Sequence, residues 1–477
     1  MKKKMLNSNR VGLALVQTLT SCTEEKVYDD AGRLVKLIHK AMIEYGLGRK
    51  QADNPLLDII SPGMTVFIKP NWVLHYNQGS GGMACMITHS SFLRAVVSEV
   101  LRCRPSKIII GDAPIQSCIW ESLVTTDLQR SILKMASCRE VEVVFTDFRR
   151  TILREMNPAK PPIKNSCDEG MYVLFDLASD SLLEPISGAY GKFRAPTYSP
   201  RKLAKLHDAG THKYLLARAP FDADIILSLP KLKMHKKTGI TCALKTLVGL
   251  IGDKDFLAHN RVGGFKSGGD AYPGNSVVKR ITETLTDKRN GSIGSRRYNL
   301  WNLMAFCTWQ LTRFDPTRGL GFDGNWHGND TCWRMVLDLN RILIYGKSDG
   351  TMAEEPQRKL YSLTDAIICG QGNGPLHPSP IFVGAVTFSD SAPTADVVHA
   401  SLLRVDYKKA PLIREAFGNF RWPLAEARVE PQVYCDNQLM TSDEVARKFG
   451  VNATPAPGWV GRLELEDGHD CISNRLL

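Results

Sequence analysis

Two short runs, Ile108–Ile110 and Ile225–Leu227, are apolar at every position. A strand with one wet face alternates apolar and polar residues, because successive side chains point to opposite sides of the sheet. A strand that is apolar throughout needs cover on both faces, and in a parallel sheet helices supply it. Helical periodicity does lie between such runs. Leu34, Leu37, Ile38 and Met42 recur at helical spacing within 28–47, and residues 90–102 (SSFLRAVVSEVLR) form an amphipathic pattern with Thr88 or Ser90 as the expected cap. Further strands are expected at Val11–Val16, within 62–72, at 141–148, at 223–233 and within 363–375, and a helix is expected over 238–252 (TGITCALKTLVGLIG). The expected fold class is α/β: a mostly parallel sheet with helices on both faces, plus a helical and loop insertion.

The expected body comprises residues 1–254 and 346–424. Residues 255–345 read as an insertion or lid, with a glycine-rich loop at 261–276 and a helical part around 333–346. Residues 425–477 read as a Pro-punctuated C-terminal tail. With 43% apolar and 23% charged residues in a chain of 477, a sizeable core is expected and disorder is not.

The net charge of +12 is concentrated: residues 201–300 hold 19 Lys and Arg against 8 Asp and Glu, a surplus of +11. Such a field attracts anions. Nucleic-acid binders add aromatic platforms or a groove-reading module, and neither occurs here, which argues against a nucleic-acid partner. The densest positive stretch, residues 230–239 (PKLKMHKKTG), directly follows the apolar run that ends at Leu229.

In open α/β sheets ligands sit outside the carboxyl ends of the strands. The polar residues that fall there are Lys69-Pro70-Asn71, Gly111-Asp112, Lys231-Leu232-Lys233 and Gly370 to Pro375. The anion is therefore expected at Lys69, Asn71, Lys231, Lys233, Thr238 and Asn373. A helix starting near Thr238 would add its positive dipole end. His235 and Lys245 are the candidates for moving a proton, with Asp112 as a candidate base. The bland alternatives are a solvated charge run for the lysines, a snorkelling Lys245, and capping roles for Asn71 and Asp112.

Candidate metal ligands are His89, His235, His259 and Asp112. Their spacing is not diagnostic, since no H-x-x-x-H or H-E-x-x-H pattern exists. The 12 cysteines include no two within four residues, so the pairs that hold zinc ribbons or iron–sulfur clusters are missing. An intrinsic iron–sulfur cluster is not expected, whereas a divalent metal is left open. Scattered cysteines of this kind suit a reduced, cytoplasmic protein. The segment Leu19–Cys22 (LTSC) looks like a lipoprotein cleavage box, but Gln17 and Thr18 interrupt the apolar stretch before it, which favours a first strand. No run approaches the roughly twenty apolar residues of a membrane span. In GQGNGP (370–375) the prolines that follow prevent the helix that a phosphate-binding Rossmann turn requires, so a tight turn is expected. No G-x-S-x-G elbow or P-loop is present.

Five ordered blocks carry a family resemblance: VFIKPNWV, THSSFLRAVVSEVL, IIIGDAP, the long DADIILSLPKLKMHKKTGITCALKTLVGLIGDKDFLAH, and LTDAIICGQGNGP with SDSAPTADVVHASLLRVDYKKAPLIREA. Over roughly residues 60–420 the chain resembles the DUF362 family. The resemblance implies an α/β body and a polar site without a demonstrated reaction. Many members carry ferredoxin-type cysteine clusters, a pattern from which this sequence departs. Three readings follow: an enzyme acting on a phosphorylated or carboxylated small molecule by lysine- or histidine-assisted proton chemistry, a non-catalytic binding or redox-partner protein that docks an acidic partner, and a metal-dependent enzyme. Oligomeric state is not indicated.

Overall fold

The structure, a computed structural model, describes residues 8–466 apart from 17–23, 154–156, 167, 189–191, 196–199, 316–319 and 427–428. The LTSC segment lies outside the described residues. Eleven strands form one sheet: β1 (Arg10–Leu15), β2 (Thr65–Pro70), β3 (Lys107–Asp112), β4 (Glu142–Asp147), β5 (Ile225–Leu229), β6 (Lys231–His235), β7 (Gly239–Thr241), β8 (Leu360–Asn373), β9 (His377–Ser389), β10 (Gln432–Cys435) and β11 (Gln438–Met440). Their order is β11-β10-β1-β9-β8-β5-β2-β3-β4, with β6 pairing β8 and β7 pairing β6. Strands β4, β3, β2, β5 and β8 run parallel to their neighbours in that half, while β9 is antiparallel to both β8 and β1.

The fully apolar strands are buried on both sides, as their composition requires. Val66, Ile68, Ile108, Ile110, Leu227 and Leu229 join one core, under α1 (Ala31–Tyr45), α2 (Ser90–Arg102) and α3 (Thr126–Ser137). The intervening Phe67 and Ile226 join a second core on the opposite face, with Leu244, Leu247, Met335, Leu339 and Ile342. Helix α1 is closed by Asp30, whose side chain accepts from the Arg33 N–H, and by Gly46 at φ 107°, a conformation that costs glycine little. The α2 cap is neither Thr88 nor Ser90 but His89, whose Nδ1 accepts from the Ser91 N–H.

Three expectations are corrected. Residues 238–252 do not form an α-helix: Gly239, at φ 77°, turns the chain into β7, and a short 3-10 turn follows at Lys245–Leu250. Leu232, Met234, Ile240 and Cys242 then share a third core, which holds the β6–β7 hairpin in place. The helix Cys332–Tyr345, expected in the lid, is buried along nearly its whole length and belongs to the second core. The expected C-terminal tail instead adds β10 and β11 to the sheet edge, and places Val433, Val445, Trp459 and Leu463 in the third core.

Candidate functional site

From β2 the chain builds outward through β3 to the edge strand β4, then returns to place β5 on the other side of β2. That reversal makes the carboxyl ends of β2 and β5 the point where an open sheet parts to admit a ligand. Asn71 and Trp72 follow β2, and Asp112 ends β3. These residues line a cavity of about 980 Å³, together with Lys233, His235, Lys236 and Lys237 of the β6–β7 hairpin, Lys245 and Gly249 of the 3-10 turn, and Lys254 and His259 beyond it.

Besides Lys236, four lysines of that cavity lack a carboxylate partner among the described residues. The buried Lys233 ammonium donates to Asn71 Oδ1 at 2.9 Å and to the Met86 carbonyl. Buried Lys254 donates to the carbonyls of Ala113 at 2.6 Å and Ile251 at 2.9 Å. Half-buried Lys237 donates to the Asp323 carbonyl. Lys245 is buried, and no hydrogen bond or ion pair holds its ammonium among the described residues. Desolvation penalises each charge, and neighbouring lysines add repulsion at Lys233. Burial pulls Lys233 and Lys254 down to about 7, and Lys237 to about 8. Lys245 moves in the same direction for the same reason.

His235 accepts the Lys237 backbone N–H at Nδ1, 3.0 Å away, which leaves Nε2 as the protonated nitrogen of a neutral ring. Burial and then the surrounding lysines hold it well below its ordinary value, so it stays neutral. His259 experiences the same field, and its buried Nδ1 has no hydrogen-bond partner among the described residues. Beneath these groups lies one buried ion pair, Lys69 Nζ to Asp112 Oδ2 at 2.8 Å. Asp112 also accepts the N–H groups of Trp72 and Ala113, both at 2.7 Å. Burial pushes the carboxyl up and the ammonium down, and each charge opposes that shift in the other. Gly249 packs directly on this pair; a Cβ there would sit 2.0 Å from Asp112 Oδ1 and 2.5 Å from Lys69 Nζ.

The cavity thus gathers Asn71, Asp112, Lys233, His235, Lys245 and His259 from the residues singled out by sequence. Lys69 supports it from below. Lys231 is turned elsewhere: it pairs with Asp365 Oδ2 at 3.0 Å and donates to the Tyr28 hydroxyl, also at 3.0 Å, in a sealed network. Thr238 spends its hydroxyl on the Ile240 carbonyl within the hairpin, so no helix N-terminus is available there. Asn373 lines a separate, smaller cavity of about 710 Å³. Lys237 and Lys254 were not singled out by sequence. Their signal was membership of the same basic block, which composition cannot divide into inward and outward residues.

The metal candidates do not converge. His89 stacks on Tyr28 at 3.9 Å and caps α2, while burial lowers its pKa to about 4. Among the described residues the only trio with ligand atoms close together is Cys242, Asp396 and His399, all buried. Asp396 there accepts the Ala243 and Leu244 N–H groups at 2.9 and 3.0 Å and contacts His399 Nδ1 at 2.9 Å, and His399 Nε2 meets the Thr387 hydroxyl. With every Asp396 and His399 contact occupied by protein, the trio reads as a brace for the loop before the 3-10 turn rather than as a metal cage.

The model of a family described as a domain of unknown function, DUF362, matches residues 188–401. The chain carries a DUF362 domain. The matched segment holds the lysine hairpin, the 3-10 turn, Lys254, His259 and strands β8 and β9, whereas Lys69, Asn71 and Asp112 precede it. No curated protein matches the chain. A crystal structure of a Thermotoga maritima protein from the Northeast Structural Genomics Consortium is similar, with a TM-score of 0.32 and 8% identity over 76% of this chain. The chain spans 56% of the length of that protein. No helix among the described residues is long and apolar enough to cross a membrane.

Proposed function

We propose that this DUF362 protein binds a phosphorylated or carboxylated small molecule in the 980 Å³ cavity and moves a proton on it. The observation that carries the reading is the set Lys233, Lys237, Lys245 and Lys254, whose ammonium groups, among the described residues, meet only neutral carbonyl or amide oxygens, or nothing. Burying unpaired charge costs several kcal/mol unless a counter-ion arrives, and an anionic ligand is that counter-ion. His235 donates from Nε2. Lys245, whose pKa burial lowers and whose ammonium has no partner among the described residues, is the group suited to exchange a proton with the bound molecule. Asp112 is committed to Lys69 and two backbone donors, so its part is to hold the floor of the cavity rather than to act as the base. The nine described cysteines are all free thiols, which supports a reducing, cytoplasmic setting.

Thermal denaturation with inorganic phosphate, a sugar phosphate and a dicarboxylate tests this. The wild-type protein should be stabilised in proportion to the logarithm of ligand concentration, and Lys233→Met should lose most of that shift. An unchanged shift in both Lys233→Met and Lys245→Met would move the anion elsewhere.

A further inference from the structure

The helices Val277–Asn290 (α4) and Arg297–Leu311 (α5) pack side by side as a hairpin. On α5, Tyr298 and Ala305 face inward and are buried. Its other apolar side chains point out: Leu300, Leu303, Met304, Phe306, Trp309 and Leu311 are between 40% and 60% exposed, and Phe314 just beyond is 87% exposed. Val277 and Ile281 on α4 extend the patch. Monomeric soluble proteins rarely leave so much contiguous apolar surface uncovered.

Charge decides what covers it. No charged residue occurs from Tyr298 to Thr312, while the exposed cations Lys288, Arg296, Arg297 and Arg313 bracket that stretch. None of these four has a carboxylate partner among the described residues. The acids of the hairpin are turned inward: Glu283 and Asp287 face Arg194 at 3.5 and 2.7 Å, and Asp315 faces Lys279 at 3.9 Å. A two-fold contact with a second copy would set this cationic rim against itself. Lys288 lies over the Trp301 ring, 4.7 Å from its centroid, and Arg313 over Trp309 at 6.0 Å. Apolar and tryptophan side chains below a rim of cations match a helix lying in a lipid headgroup layer.

We propose that the α4–α5 hairpin docks on an anionic membrane surface. The hairpin loop supplies Asn290, Gly291 and Ile293 to the wall of the lysine cavity, so docking would hold one wall of that cavity at the bilayer. The docking itself does not depend on what the cavity binds.

Co-sedimentation of the full chain with vesicles tests it, comparing phosphatidylcholine alone with phosphatidylcholine containing phosphatidylglycerol. Binding is expected to the anionic vesicles and to weaken with salt. Arg297→Gln and Arg313→Gln should each lower partitioning about fivefold, and the Leu303→Gln, Phe306→Gln double variant about tenfold or more. All four side chains are exposed, so each variant should melt like the wild type. A blue shift of fluorescence on anionic vesicles that is smaller in Trp309→Phe would support docking independently. Failure to co-sediment, or variants that bind as the wild type does, would overturn the proposal. So would a solution dimer that the double variant dissolves, since it would assign the face to a second copy.

Discussion

Replacing Lys245 by Met is expected to stabilise the protein without ligand and to weaken its response to phosphate. The ammonium of Lys245 is buried, faces the cavity and, among the described residues, is held by no hydrogen bond or ion pair. Exchanging an uncompensated buried charge for an apolar chain of similar length gains about 1–4 kcal/mol, which corresponds to a rise in Tm of a few degrees in a chain of this size. The pH dependence fixes the sign. A lysine whose pKa is lowered by folding binds its proton more weakly in the folded than in the unfolded state. Its cost is therefore full below the folded pKa and vanishes as pH rises to the unfolded value of 10.5. Neighbouring Lys233 adds to the same trend: its own folded value of about 7 against 10.5 is a cost on the order of 5 kcal/mol when both states are protonated. Wild-type stability should thus rise with pH across that window. The advantage of Lys245→Met should be largest at the acid end of the range and fade as pH approaches 10.5. Differential scanning fluorimetry across this range, with and without phosphate, reads both effects. A variant less stable than the wild type at every pH, with its phosphate shift intact, would refute the assignment of Lys245 as an unpaired charge awaiting an anion.

Phosphate affinity itself should fall as pH rises through about 7 to 8, where Lys233, Lys254 and Lys237 lose their protons, and isothermal titration at several pH values would show it. Gly249→Ala places a Cβ within 2.0 Å of Asp112 and should destabilise the protein by about 3–5 kcal/mol by prising apart the Lys69–Asp112 pair, measured as a fall in the denaturation midpoint. Asp396→Ala strips the acceptor from two buried backbone N–H groups and from His399; a loss of about 3 kcal/mol or more is expected, with no dependence on added zinc.

Much of the sheet was legible because uniform burial writes itself into composition: Ile108–Ile110 and Ile225–Leu227 could only be covered on both faces. The hairpin at the site was misread for a specific reason. Lys231-Leu232-Lys233-Met234-His235 alternates polar and apolar with a period of two, the signature of a strand, but 223–233 reads as a single strand leading into a helix near Thr238. Gly239 then allowed the chain to reverse where a helix was expected to begin. The strands at 432–440 escaped because they are short, lie at the sheet edge and sit among prolines and polar residues, so local pattern carried little of their burial.

Sequence alone determined that this chain builds a doubly covered α/β sheet and concentrates its positive charge near one set of strand ends, since both follow from which residue types stand beside one another. Only the tertiary structure decided which lysines share the cavity. Lys231 and Lys233 are two residues apart on one strand, yet the first is neutralised by Asp365 and the second faces open space without a counter-charge. That distinction depends on which carboxylates the fold brings within about 3–4 Å, a matter of long-range packing that no local spacing encodes.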